Sequence, residues 1–177
     1  MIVVTIGTNE QPFDRLVAAA AALEVDERLV VQYGSSSVTS GPGEWVDFLG
    51  FDELGALMRE ARVVVCHAGV GSIMLARQCG RRPVVVPRRL DRDEAVDDHQ
   101  VPLARRLAGS GLVTLVEDER ELQAVIASPA ADAPVAATQS LPGVADLVAA
   151  LGERLDRAGV ARTGAIEVGG VPAPASR

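Results

Sequence analysis

The stretch from Val63 to Gln100 constrains the fold more than any other part of the chain. Val63-Val64-Val65-Cys66 is an apolar run of strand length that passes into a turn of small residues, His67-Ala68-Gly69-Val70-Gly71-Ser72. A helical run follows and stops at Gly80; a second apolar strand, Pro83 to Val86, then empties into the charged loop Asp91 to Gln100. Strand, glycine turn and helix in this order are how an α/β sheet holds a phosphate. Glycine lets the backbone approach the anion, and the first N–H groups of the helix meet it with the positive end of the helix dipole. The expectation is a nucleotide or sugar-nucleotide site at the carboxyl edge of a parallel sheet.

The rest of the chain repeats this alternation. Ile2 to Ile6 is rich in β-branched residues, as in a strand buried on both faces, and ends at Gly7-Thr8. Pro12 suits a first helical turn, and Phe13, Leu16, Val17 and Ala20 recur at helical spacing. Leu29 to Gln32 reads as a second strand, with a polar loop from Ser35 to Gly43, and Trp45 to Leu49 as a third, closed by Gly50-Phe51. Asp52 is placed to cap a helix carrying Leu54, Leu57 and Met58. A helix over 98–108 turns Val101, Ala104 and Leu107 inward, Leu112 to Val116 gives a sixth strand, and Asp118 with Glu121 begins another helix as a capping box does. Such alternation predicts an α/β fold, a Rossmann-like parallel sheet with helices on both faces. Right-handed crossovers put every strand-to-helix turn on one edge, so that Gly7-Thr8, Gly34-Ser35, Phe51 and the turn from His67 to Ser72 line one crevice.

The domain is expected to span residues 1–157, with a linker or long loop over 128–142, a C-terminal helix over 143–157 and a disordered tail over 158–177. A chain of 177 residues is long enough to bury a core without disulfide or metal. Cys66 and Cys79 have neither metal-ligand spacing nor a disulfide pattern, and with no signal peptide or membrane-spanning stretch the expected location is the cytoplasm. The net charge of −7 argues against a nucleic-acid binder. Arg77, Arg81, Arg82, Arg88, Arg89 and Arg92 nevertheless gather around the central motif, and two readings stand: a site for an anionic ligand or lipid head groups, or a solvated basic rim.

The motifs also leave alternatives open. Ser72 can cap its helix or bond a phosphate oxygen. His67 can meet a diphosphate, position a sugar or be a satisfied buried histidine; it is the candidate catalytic residue, although no paired carboxylate or Ser/His/Asp set surrounds it. Glu94, Asp97, Asp98, His99 and Gln100 form a second group, in which carboxylates and an amide can take hydrogen bonds from sugar hydroxyls. Asp97 or Asp98 can instead cap a helix, and a Mg²⁺ site ranks below both readings.

These residues carry a resemblance. Val4 to Thr8 with Pro12 to Leu16, Cys66 to Ser72, Gly80 to Arg88, and Glu94 with Val96 to Gln100 make most of residues 1–127 similar to the C-terminal, donor-binding domain of family 28 glycosyltransferases, half of the GT-B fold and related to MurG-type transferases. Within the family the chain most resembles the small PssE/EpsF-like subunits of exopolysaccharide pathways. The resemblance implies hexosyl transfer from a nucleotide-sugar, a UDP-sugar in the usual case, to a lipid-linked acceptor, with the nucleotide-sugar as substrate and no cofactor or metal. It implies that Gly7, Thr8, Gly69, Gly71 and Ser72 approach the donor diphosphate and that Phe51 sits by the base. Glu94, Asp97, Asp98, His99 and Gln100 then fall by the donor sugar or ribose. Leu75 stands where MurG-type enzymes carry a ribose-binding glutamate, and the acceptor half is absent. The implied partner is a membrane-anchored acceptor-binding subunit that recruits the protein to the inner face of the membrane. The alternative is a non-catalytic module that binds a nucleotide or sugar-nucleotide.

Overall fold

A computed structural model describes residues 1–132, so the expected linker beyond Asp132, the helix over 143–157 and the tail over 158–177 lie outside the described residues. Strands β1 (Ile2–Thr5), β2 (Leu29–Gln32), β3 (Glu44–Val46), β4 (Val63–His67), β5 (Val84–Val86) and β6 (Thr114–Leu115) alternate with helices. The helices are α1 (Asp14–Ala21), α2 (Phe51–Glu60), α3 (Val70–Gln78), α4 (Gln100–Gly109) and α5 (Leu122–Ala127). Every strand pair is parallel, in the order β3-β2-β1-β4-β5-β6. The order reverses between β1 and β4, so the connections leaving these two strands diverge and open a crevice at their carboxyl ends. The register sets Thr5 against Cys66 and brings the Gly7 turn level with the turn after His67.

Successive strand residues point to opposite faces, and both faces are covered. Ile2, Val4 and Ile6 meet Phe13, Leu16, Val17 and Ala20 of the α1 region with Leu122 and Ile126 of α5. Val3 and Val64 meet Met58 of α2 with Leu75 and Ala76 of α3 on the other side. Cys66 and Val85 pack on Ile73 and Ala104. Each large side chain buried in this way contributes about 1.5–3 kcal/mol, so the α1 residues alone anchor that helix firmly.

Several boundaries differ from expectation for local reasons. β3 stops at Val46; just beyond it the Asp47 carbonyl still accepts the Gly34 N–H at 3.1 Å while the Asp47 carboxylate takes the Phe48 N–H at 2.7 Å. Gly50, with extended backbone, occupies the cap position of α2, and Asp52 falls in the first turn, where it faces the helix dipole without capping. α4 begins at Gln100 because Asp98 is drawn back to accept the Leu90 N–H at 3.0 Å. Asp118 does cap, accepting the Arg120 N–H at 3.1 Å where a 3₁₀ turn leads into α5. Among the described residues no helix is long and apolar enough to cross a membrane.

Candidate functional site

The crevice begins with a buried polar pair. The Thr5 hydroxyl donates to Gln32 Oε1 at 2.6 Å, and Gln32 Nε2 donates to the carbonyls of Gly7 at 3.0 Å and Asp47 at 3.1 Å. The ends of β1, β2 and β3 are thus tied together. Gly7 turns with φ +77°, a left-handed conformation that glycine adopts without strain.

Beside it, at the end of β4, the His67 imidazole lies between two glycines. A Cβ on Gly7 would stand 2.5 Å from its Cε1, and one on Gly69 2.1 Å from its Nε2. These glycines therefore make room for the ring. Burial pushes the pKa of His67 down to about 4, helped by the positive charge of Arg88, so the imidazole is neutral at physiological pH. Its Nδ1 is buried without a hydrogen-bond partner.

Gly71 differs: a Cβ there would meet nothing within 4 Å. It is the second residue of α3, Gly69 is the cap, and Ser72 is half-buried and makes no capping bond. The first-turn N–H groups of a helix have no partner within it, and here they open on the crevice with the positive end of the dipole. Of the two readings of Ser72, capping is thus not the one the structure adopts.

The opposite wall is apolar. Phe48 and Phe51 are 62% and 71% exposed, and with Leu49, Leu54 and Leu75 they close a cleft of about 370 Å³ that also takes in Gly7, Thr8, His67, Gly69, Gly71 and Ser72. The structure therefore brings together seven of the expected residues: Gly7, Thr8, Phe51, His67, Gly69, Gly71 and Ser72. Gly34 and Ser35 are not part of the cleft lining. Sequence reasoning missed Phe48, although a signal exists, since two of the chain's three phenylalanines flank Gly50 just before a helix.

The second group lies outside the cleft lining. Glu94 is buried and committed within the protein: Arg15 donates to its two carboxylate oxygens from Nε at 2.8 Å and Nη2 at 2.9 Å, and the Arg89 N–H adds a bond at 3.0 Å. Gln100, also buried, accepts the Arg88 N–H at 3.1 Å. Asp97, Asp98 and His99 are exposed, with Asp97 Oδ1 against His99 Nδ1 and Asp98 on the Leu90 N–H.

The arginines form no common rim. Arg77, Arg81 and Arg82 stand at the far end of α3, at the amino edge of the sheet, away from the cleft. Arg89 pairs with Asp91, and Arg92 with Glu119. Arg88 is fully buried: its guanidinium donates to the carbonyls of Ile6, Gln11, Pro12 and Glu94 at 2.8–3.2 Å and lies 4.7 Å from the centre of the Phe13 ring. Among the described residues no group of three or more His, Cys, Asp or Glu comes together to hold a metal ion.

Comparison with known proteins agrees with this geometry. The profile of the glycosyltransferase family 28 C-terminal domain matches residues 1–142. The UDP-N-acetylglucosamine–N-acetylmuramyl-(pentapeptide) pyrophosphoryl-undecaprenol N-acetylglucosamine transferase of Desulforudis audaxviator is 32% identical over 133 residues, which is 74% of this chain and 34% of that protein. The UDP-N-acetylglucosamine transferase subunit ALG13 of Yarrowia lipolytica is 38% identical over 56 residues, 32% of this chain and 26% of that protein. The chain thus spans about a third or less of these relatives' length. Among solved structures, the calicheamicin glycosyltransferase CalG4 matches with a TM-score of 0.54 at 17% identity, covering 75% of this chain and 34% of that one. Acinetobacter baumannii MurG matches with a TM-score of 0.51 at 22% identity, covering 70% and 39%. The described fold is the Rossmann-like C-terminal half of a GT-B architecture.

Proposed function

Because the chain belongs to the family of glycosyltransferase family 28 C-terminal domains, we propose that its cleft binds a nucleotide-sugar and that it acts as the donor-binding half of a two-component transferase. The acceptor half is then a separate, membrane-anchored subunit that presents a lipid-linked acceptor for polysaccharide biosynthesis. The observation that carries this reading is the pairing, in one cleft, of the open first turn of α3 at Gly71 and Ser72 with the exposed aromatic platform of Phe48 and Phe51. Phosphates suit the first and a base the second. The names of the two sequence relatives support a UDP-sugar donor; one includes an undecaprenol carrier, and the other is itself called a subunit. The four large apolar side chains that stand exposed among the described residues, Phe48, Phe51, Leu90 and Val96, all lie at the carboxyl edge, Phe51 at the start of α2 and the others on connections, as expected if a second protein covers that edge.

In this reading the departing diphosphate is stabilised by α3 N–H groups and dipole, with no metal needed. His67, with its imidazole neutral, serves as a hydrogen-bonding group on the phosphate or sugar. Among the described residues no carboxylate lines the cleft, so the general base comes from the acceptor half. The same observation favours a second reading, a nucleotide-binding module without catalysis. Sugar transfer by the chain mixed with its acceptor subunit separates the two, since the module reading expects binding without turnover.

Isothermal titration calorimetry of the full chain with UDP and UDP-sugars tests the binding. Saturable one-to-one binding is expected, and Gly71→Asp, whose side chain enters open space and so leaves the fold intact, weakens it at least tenfold through carboxylate–phosphate repulsion. Binding unchanged in a folded Gly71→Asp protein places the phosphates elsewhere.

A further inference from the structure

We propose that the cleft is indifferent to the 2′-hydroxyl of the nucleotide ribose, so that sugars activated on 2′-deoxyribonucleoside diphosphates are substrates on the same footing as UDP-sugars. This rests on the donor-binding reading above and names a substrate class within it.

The argument is one of spacing. Ser72 and Leu75 are three residues apart on α3, and Phe51 and Leu54 three apart on α2, so each pair shares a helix face, and all four line the cleft. A diphosphate at Ser72 and a base on Phe51 leave the ribose between them, against Leu54 and Leu75. Leu75 is only 5% exposed and packs towards α2, its Cδ1 lying 3.6 Å from where a Cβ on Gly55 would stand.

Among the described residues the polar side chains of the cleft, Thr8, His67 and Ser72, belong to its phosphate end, and no Asp, Glu, Asn or Gln joins them. Glu94, the carboxylate that sequence reasoning offered to the ribose, is saturated by Arg15 and the Arg89 N–H. A site selects strongly for a hydroxyl only when it carries a polar group that the deoxy analogue would leave unpaired. Leucine leaves nothing unpaired, so removing the 2′-hydroxyl takes away no contact.

Calorimetric titration of the full chain with UDP and 2′-deoxy-UDP isolates this one oxygen, and deoxythymidine diphosphate extends it to the natural deoxy class. The expected result is a Kd for 2′-deoxy-UDP within threefold of that for UDP, or lower. UDP bound more than threefold tighter overturns the inference while leaving the donor-binding reading in place. Binding of none of the three overturns that reading and the inference with it. Leu75→Glu gives the converse: it is expected to shift the ratio at least tenfold in favour of UDP. An unchanged ratio in a folded Leu75→Glu protein overturns the placement of the ribose against Leu75. The wild-type ratio decides the matter if that variant does not fold.

Discussion

His67 and Gly69 fit together as ring and gap, and this makes a sharp test at the scale of single residues. Gly69 has φ −75°, a conformation open to any amino acid, so the nearest obstacle to a side chain there is the imidazole. Gly69→Ala is expected to destabilise by about 1–3 kcal/mol in urea denaturation, the usual range for forcing one extra carbon into a packed site. In a His67→Ala background the same substitution is expected to be neutral within about 0.5 kcal/mol, as for a site whose only strain has been removed. Gly7→Ala is different, because φ +77° leaves about 1 kcal/mol of backbone strain after the ring is gone. A full penalty for Gly69→Ala in both backgrounds would show that the ring is not what the glycine accommodates. The sequence showed two glycines beside a histidine and a serine and suggested that the glycines and the serine face a phosphate, with the histidine left open. Of these only Gly71 leaves its Cβ direction open, a distinction that depends on where the ring turns and so on the neighbouring strand.

The connection from β5 to α4 carries the residues that sequence reasoning weighted most, and its shape explains why they read as a ligand site. Glu94 and Gln100 are polar residues in a charged segment, which suggests exposure, yet both are buried, Glu94 held by the Arg15 guanidinium from α1 and Gln100 by the backbone N–H of Arg88 just after β5. Arg15 and Arg88 lie against the Phe13 ring, 5.2 and 4.7 Å from its centre, so one aromatic ring and two guanidiniums bind the connection to α1 and the β1 turn. The side chains of Arg15 and Glu94 are 7% and 6% exposed, and a buried pair is most sensitive to losing one member. Glu94→Gln or Arg15→Met alone is expected to destabilise by about 3–5 kcal/mol, and the double variant Arg15→Met/Glu94→Gln by clearly less than the sum of the two. Additive effects in urea denaturation would mean that the pair is not coupled. Long-range pairings of this kind join residues 79 apart in the chain and leave no local periodicity to read, whereas the strand and helix alternation does.

For the molecule as a whole, the parallel sheet and its two buried faces were legible because β1, β2, β4 and β5 are runs rich in β-branched residues and α1 and α2 carry a clear apolar face. The cleft was half legible, since turns at one sheet edge converge by topology while its apolar wall comes from Phe48, Leu49 and Leu54, which pattern alone assigns to a core or a surface. The burial that shapes the phosphate end also sets the protein's response to acid. His67 titrates near 4 in the fold and near 6.5 when unfolded, so the unfolded chain binds the proton first as pH falls. Its contribution is therefore fully present above pH 6.5, fades between 6.5 and 4, and amounts to at most about 3 kcal/mol. Asp14, Glu27 and Asp118 are held below their usual range by the Ser37 hydroxyl, Arg62 and Arg120 respectively, and their losses begin lower, around and below pH 4. Thermal unfolding followed from pH 7 to 4.5 should accordingly show a declining Tm, and His67→Gln should flatten most of that decline while leaving the steeper loss below pH 4 intact. A UDP-saturated protein should decline differently, since a phosphate on the imidazole favours its cation and returns the pKa towards neutrality. An acid decline in His67→Gln equal to that of the wild type would move the titrating group away from the cleft.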